Sequence, residues 1–200
     1  MDNAITIKED LLNKIWITKK CRINTAMRLE NDNKFFLFLS FYYSVFLIIL
    51  SIINLYKSGN YNSLTLVILS ISTTFIVLFY NFQNYKERAL SMKNVYIELD
   101  QIYIELKTID KSNIDKILKI SSDYSSVLSS VENHNVYDFL VFQYEIDKKN
   151  TLHISYIGIV KLFGLRFLYF LIKFSMIILP IIIYFTVYFL LKHFNVLPTP

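Results

Sequence analysis

His134 and Asp138 stand four residues apart, the spacing at which two side chains meet on one helical face, and Glu132 lies just upstream. An imidazole and two carboxylates suit a divalent cation, but no further ligand of comparable strength is near, so the expected role is a hydrogen-bonded helix cap and no metal. The remaining histidines are His153 and His193. Cys21 is the single cysteine, which excludes a disulfide scaffold and a Cys-based zinc module. Lys20 and Arg22 beside it favour a thiolate, and the plainer reading is a reduced bystander. Gly59, Gly158 and Gly164 are scattered and form no phosphate-cradling loop, and no nucleophile motif occurs. Neither enzymatic activity nor a bound cofactor is expected.

The more telling polar residues lie inside apolar blocks. Ser40, Ser44, Ser51 and Asn54 follow steps of four, seven and three, and Ser63, Ser70, Thr74 and Asn81 follow steps of seven, four and seven. At about 3.6 residues per turn each set falls on one narrow face of a helix. Two hydroxyl-and-amide stripes on consecutive helices either glue helices together or line a water-accessible path in an oligomer. Neither stripe carries a charge, so such a path would be weakly ion-selective.

The elements that carry these stripes follow from composition. Of 200 residues, 54% are hydrophobic and 18% charged, with a mean hydropathy of +0.40. Soluble domains carry about 25% charged residues. Phe35–Tyr56 contains no charge, Leu64–Phe82 forms a second block and Phe174–Leu191 a third. At about 1.5 Å per residue each is long enough for a hydrocarbon core of about 30 Å, the third only just. The turn-forming Lys57–Asn62 stretch joins the first two as an antiparallel hairpin. Pro180 sits within the third, where a kink is tolerable. Phe35, Phe36, Tyr56, Tyr61, Phe82 and Tyr85 read as interfacial belts. Lys19, Lys20, Arg22, Arg28 and Lys34 precede the first block, Lys86, Arg88 and Lys93 follow the second, and Lys161, Arg166 and Lys173 precede the third. All fall on one side if the N-terminus is cytoplasmic and the C-terminus outside. The net charge of +5 is thereby accounted for, and direct nucleic-acid binding is not expected. Met1–Asp10 lacks the apolar core of a cleavable signal, so the first span is expected to be its own anchor.

The polar remainder reads as helical. In residues 1–34, Leu12, Ile15, Trp16, Ile23, Ala26 and Met27 recur at three- and four-residue steps, and Asn31-Asp32-Asn33 predicts a break and N-cap. Val95, Leu99, Ile102, Leu106 and Ile109 form a two-heptad seam that pairs either within the chain or with another subunit. Ser112 with Asp115 suggests a capping box, followed by a buried stripe of Ile114, Ile117, Leu118, Tyr124, Leu128 and Val131. Another short helix is expected over Val136–Lys148. The expected fold is an all-α integral membrane protein: an amphipathic helix over 1–34, a transmembrane hairpin over 35–82 and a cytoplasmic helical region over 83–150. A basic, aromatic interfacial segment follows over 151–173, then a third span over 174–191 and a short tail over 192–200.

Trp16-Ile-Thr18-Lys19-Lys20-Cys-Arg22, continuing to Ala26-Met-Arg28-Leu29 just before the hairpin, resembles the N-terminal stretch of the SLATT family, the SMODS- and SLOG-associated two-transmembrane effectors of prokaryotic conflict systems. Asn133-His134 followed by Asp138-Phe139 is similar to that family's later element, and the likeness covers roughly residues 12–145. The third span departs from the two-span plan and suggests a subgroup. The resemblance implies an oligomeric effector of the inner membrane that forms a pore or disrupts the bilayer, causing cell death or arrest. Its trigger would be a nucleotide signal or a separately encoded sensor, such as a nucleotidyltransferase, a SLOG protein or a reverse transcriptase system. It implies coupling roles for Trp16, Thr18, Lys19, Arg22, Arg28, Asn133, His134 and Asp138, with Arg22 and Arg28 either pairing with Asp138 or Glu132 or anchoring to acidic lipid headgroups. A different reading is a scaffolding membrane protein that docks a cytoplasmic partner through the heptad seam.

Overall fold

The computed structural model describes residues 2–56, 60–110, 113–147 and 154–193. Six helices follow in order: α1 (Asp2–Tyr56), α2 (Asn60–Asn81), α3 (Tyr85–Thr108), α4 (Ile114–Ser129), α5 (Val136–Asp147) and α6 (Tyr156–His193). No strand occurs among the described residues. Lys57–Gly59, Ser112 and His153 lie outside them. The helices divide between a polar unit, Met1–Asn31 with Tyr85–Leu165, and an apolar unit, Asp32–Asn84 with Arg166–Pro200.

In the polar unit the heptad seam of α3 is closed by its own chain. Val95, Leu99, Ile102 and Leu106 pack with Leu11 and Ile15 of α1 and with Ile117, Ile120 and Val127 of α4. Each large aliphatic side chain buried this way contributes about 1.5–3 kcal/mol, so this cluster dominates the unit's stability. The α4 stripe is rotated from the predicted one: Ile114 and Leu118 are exposed, whereas Ile120 and Val127 are buried. Apolar residues on two sides of α4 leave its period ambiguous, and the α3 seam selects the face. Asn113, one residue beyond the expected Ser112, caps α4, its side chain accepting from the Lys116 amide at 3.2 Å. Two smaller clusters complete the unit. Cys21 packs with Phe142 and Ile146 under Trp16, whose ring meets Phe142 edge-on at 5.6 Å. Ala26 and Leu29 pack with Met92.

The break expected at Asn31–Asn33 does not occur, because α1 is one helix from Asp2 to Tyr56. Asp32 does not cap; its carboxylate is 5% exposed as a residue and lies 2.8 Å from the Lys173 ammonium. The chain turns between α2 and α3 through Asn84, whose φ of 49° lies in the left-handed region that asparagine tolerates.

The apolar unit holds the rest of α1, α2 and most of α6. Phe36 stacks on Tyr80 with ring centroids 3.8 Å apart, and Asn54 donates to the Ser63 hydroxyl at 3.1 Å. Contacts at opposite ends of the pair require α1 and α2 to run antiparallel, as the hairpin reading expects. Phe36 is thus a hairpin contact rather than a belt residue alone, and Lys173 lies over the Phe35 ring at 5.0 Å. The Tyr43 hydroxyl donates to the Met176 carbonyl at 2.8 Å, and Tyr80 donates to the Met176 sulfur at 3.2 Å. The third apolar helix is therefore a packed member of this unit. Helix α6 continues through Lys161, Arg166, Lys173 and Pro180, so the stretch expected at the interface and the third apolar block share one helix. Among the described residues, three helical stretches are long and apolar enough to cross a membrane.

Candidate functional site

Asp138 is the centre of a buried polar network. It occupies the third position of α5 and is 0% exposed. The Arg28 guanidinium donates to it twice, Nε to Oδ1 at 2.9 Å and Nη2 to Oδ2 at 3.0 Å. The Thr25 hydroxyl donates to Oδ2 at 2.9 Å, and the Asn135 amide approaches the same oxygen at 3.4 Å. In return Asn135 Oδ1 accepts from the Asp138 amide at 3.1 Å. This is the reciprocal geometry of a capping box, with the negative charge at the helix end that favours it. Asn24 donates to the Asp138 carbonyl at 3.3 Å, completing a contact made entirely by α1. A buried carboxylate is tolerable only when its lone pairs are met in this way.

Arg22, one turn before, is treated differently. It is 1% exposed, yet its Nη1 donates only to the Glu132 carbonyl and, at 3.7 Å, to the Met92 sulfur. Its Nε has no partner, and burial lowers its pKa from the ordinary guanidinium value. The Glu132 carboxylate is taken by Arg88, which donates to both oxygens at 2.9 Å. Arg22 therefore meets Glu132 through the backbone, and the carboxylate pairing falls to an arginine of α3.

His134 does not act as the cap; Asn135 does. The His134 backbone amide donates to Asn133 Oδ1 at 3.1 Å, while its ring Nδ1 is buried without a hydrogen-bond partner. Burial, and then the Arg22 charge, push its pKa below the usual imidazole value, with Asp138 opposing. His134, Asp138 and Glu132 do not converge, and no three-residue metal cluster is found among the described residues. Cys21 is 0% exposed, and its thiol is pushed up to about 12, chiefly by burial and then by Asp138, with Arg22 opposing. Desolvation outweighs the neighbouring Arg22 charge that would favour a thiolate.

Two other motif residues join α1 to α4 and α3. Thr18 shares a hydrogen bond of 2.9 Å with the Tyr124 hydroxyl. Lys19 pairs with Asp100 and lies over the Tyr103 ring at 5.1 Å. Asn24, Thr25 and Arg88 are participants that residue spacing did not single out. Asn24 and Thr25 sit between Arg22 and Arg28 on the same helical stretch, and that position was the available signal. Lys8, 6% exposed, donates to the carbonyls of Lys107 and Ile109, satisfying the C-terminal end of α3.

Of the eight stripe residues, Asn54 and Ser63 are joined side chain to side chain. Ser40, Ser44 and Ser51 turn back to the carbonyls of Phe36, Ser40 and Leu47, and Ser70 and Thr74 to those of Val67 and Ser70. Ser44, Ser63, Thr74 and Asn81 are exposed, and Ser40, Ser51, Asn54 and Ser70 half-buried. The face of α2 that is buried is another one, carried by Thr65, Leu69 and Thr73. Tyr43 and Leu39 do the same on α1. Ser44, Thr74 and Asn81 stand outside these packed faces, whereas Asn54 and Ser63 meet across the hairpin.

A family model described as SMODS and SLOG-associating 2TM effector domain family 5 matches residues 5–186. No curated protein and no solved structure matches the chain.

Proposed function

This chain belongs to the SMODS and SLOG-associating 2TM effector domain family, and we propose that it acts, without enzymatic chemistry, as a pore-forming or membrane-disrupting effector of a prokaryotic antiviral conflict system. It is a membrane protein with three helices able to cross a bilayer. In this reading copies assemble in the inner membrane, the N-terminus cytoplasmic and the C-terminus outside, and the outcome is death or arrest of the infected cell. A separately encoded partner supplies the trigger: a nucleotidyltransferase making a nucleotide signal, a SLOG protein or a reverse transcriptase system.

The observation that carries this reading is the polar stripe on each of two consecutive apolar helices, exposed at Ser44, Ser63, Thr74 and Asn81. The Ser44 and Thr74 hydroxyls are met by carbonyls of their own helices, but an amide facing hydrocarbon is unfavourable, so exposed Asn81 calls for another helix or for water. A ring of such hairpins supplies both, packing some stripe residues and wetting others. The Arg28–Asp138 grip then has a role in control. Arg28 and the first apolar block belong to one unbroken helix, so a change in what α5 holds acts directly on α1.

Reconstitution tests this. The purified chain is placed in anionic phospholipid vesicles at increasing density, and release of a trapped ion is followed. Crowding in the bilayer stands in for the partner's trigger, so release that rises more steeply than density is expected from cooperative assembly. Sealed vesicles at every density contradict the proposal.

A further inference from the structure

Helix α3 carries a second heptad row that its own chain leaves uncovered. Leu90, Ile97 and Ile104 recur every seven residues and are 50%, 44% and 56% exposed, whereas the inner row at Val95, Leu99, Ile102 and Leu106 is buried. Four residues after each outer apolar residue stands an exposed polar one: Asn94, Gln101 and Thr108. In a coiled-coil register the apolar row takes the d positions and the polar row the a positions. An asparagine at a specifies two strands in a fixed register, at some loss of stability.

The charges beside the row decide the direction of pairing. Lys93 falls at g and Glu98 at e, and both are exposed. In a parallel pair each g side chain faces the e side chain five residues on in the other copy, so Lys93 meets Glu98 twice by symmetry. An antiparallel pair instead sets lysines against lysines and glutamates against glutamates. The next g residue, Asp100, would face Glu105, but its charge is already met within the chain by Lys19.

We propose that α3 pairs in parallel with α3 of a second copy of this chain through Leu90, Ile97 and Ile104. Three apolar layers separated by amide and hydroxyl layers make a weak zipper. It forms when copies are concentrated by a shared membrane, where the second contact becomes effectively intramolecular. The inference rests on the oligomeric reading above for its setting and supplies that reading with an interaction surface.

The test uses the full chain in membranes and a short bismaleimide. Ile97→Cys is expected to give a cross-linked dimer that the unaltered chain, with Cys21 buried, does not give. Adding Lys93→Glu is expected to abolish the dimer, and adding Glu98→Lys to that variant to restore it. These residues are exposed, and an unchanged unfolding midpoint verifies that each variant folds. Failure of Ile97→Cys to cross-link, cross-linking between Leu90→Cys and Ile104→Cys chains in its place, or indifference to the charge exchange overturns the pairing. Vesicle release without α3 cross-linking overturns this inference and leaves the proposed function standing. Cross-linking in vesicles that stay sealed at every density does the reverse.

Discussion

Arg28 and Asp138, 110 residues apart in sequence, are joined by two parallel charge-assisted hydrogen bonds of 2.9 and 3.0 Å around a carboxylate that solvent does not reach. The pair joins α1 to α5, and Thr25 and Asn135 meet the remaining lone pairs. Removing one member leaves the other charge buried without its partner. Such truncations cost about 3–5 kcal/mol. Asp138→Ala is expected to lower the thermal unfolding midpoint of the detergent-solubilised protein sharply. Arg28→Ala should lower it at least as far, because the carboxylate it leaves behind is fully buried, whereas the Arg28 side chain is 15% exposed. The double variant should fall well short of the sum of the two losses. Additive losses would show that the pair does not act as a unit.

Cys21 should resist modification. Its thiol is fully buried and its pKa lies near 12, so almost no thiolate exists at neutral pH. Iodoacetamide at pH 8 is expected to leave the folded protein unlabelled and to label it completely in denaturant. Linkage runs the same way: the stability carried by the protonated thiol is complete below its ordinary value of 9.0 and is lost as pH climbs towards the folded value. Cys21→Ala should remove that alkaline loss.

His134 sets an acid-side dependence. Its folded pKa lies below 6.5 because of burial and Arg22, with Asp138 opposing and the Phe139 ring alongside. The unfolded chain therefore takes up the proton first. Stability is full above 6.5 and falls as pH drops through the lowered folded value. A protonated His134 would stand as a second cation beside Arg22, whose Nε is already without a partner. Unfolding midpoints measured at pH 7.5 and 5.5 should separate in the unaltered protein. In His134→Gln that separation should shrink.

Much of this architecture was legible in the residues, and the limits are physical. The uncharged runs from Phe35 and Leu64 announced helices able to cross a bilayer, because length and apolarity are local properties. The seam at Val95, Leu99, Ile102 and Leu106 announced a buried face but not its partner, which proved to be α1 and α4 of the same chain. Leu99 is consequently unavailable for docking another protein. Asp32, expected as part of a cap, is paired instead with Lys173, a residue from the far end of the sequence that no local cap signal can anticipate. The same holds for the Asp138 network. Its members were named by order and type, but the division of labour was not. Glu132 lends a carbonyl to Arg22 and its carboxylate to Arg88, a choice made only when three helices meet. Thr65 and Thr73, buried on α2, are two residues eight apart, a weaker periodic signal than the four-residue stripe on another face.

The central claim is that the polar stripes of α1 and α2 serve passage across the membrane. Induced expression in a bacterial host, followed with a membrane-potential dye, tests it most directly. The unaltered chain is predicted to collapse the potential, and Asn54→Leu with Asn81→Leu, present in the membrane at the same level, to preserve it. A potential that survives expression of the unaltered chain, or one that collapses equally with the double variant, would contradict the account.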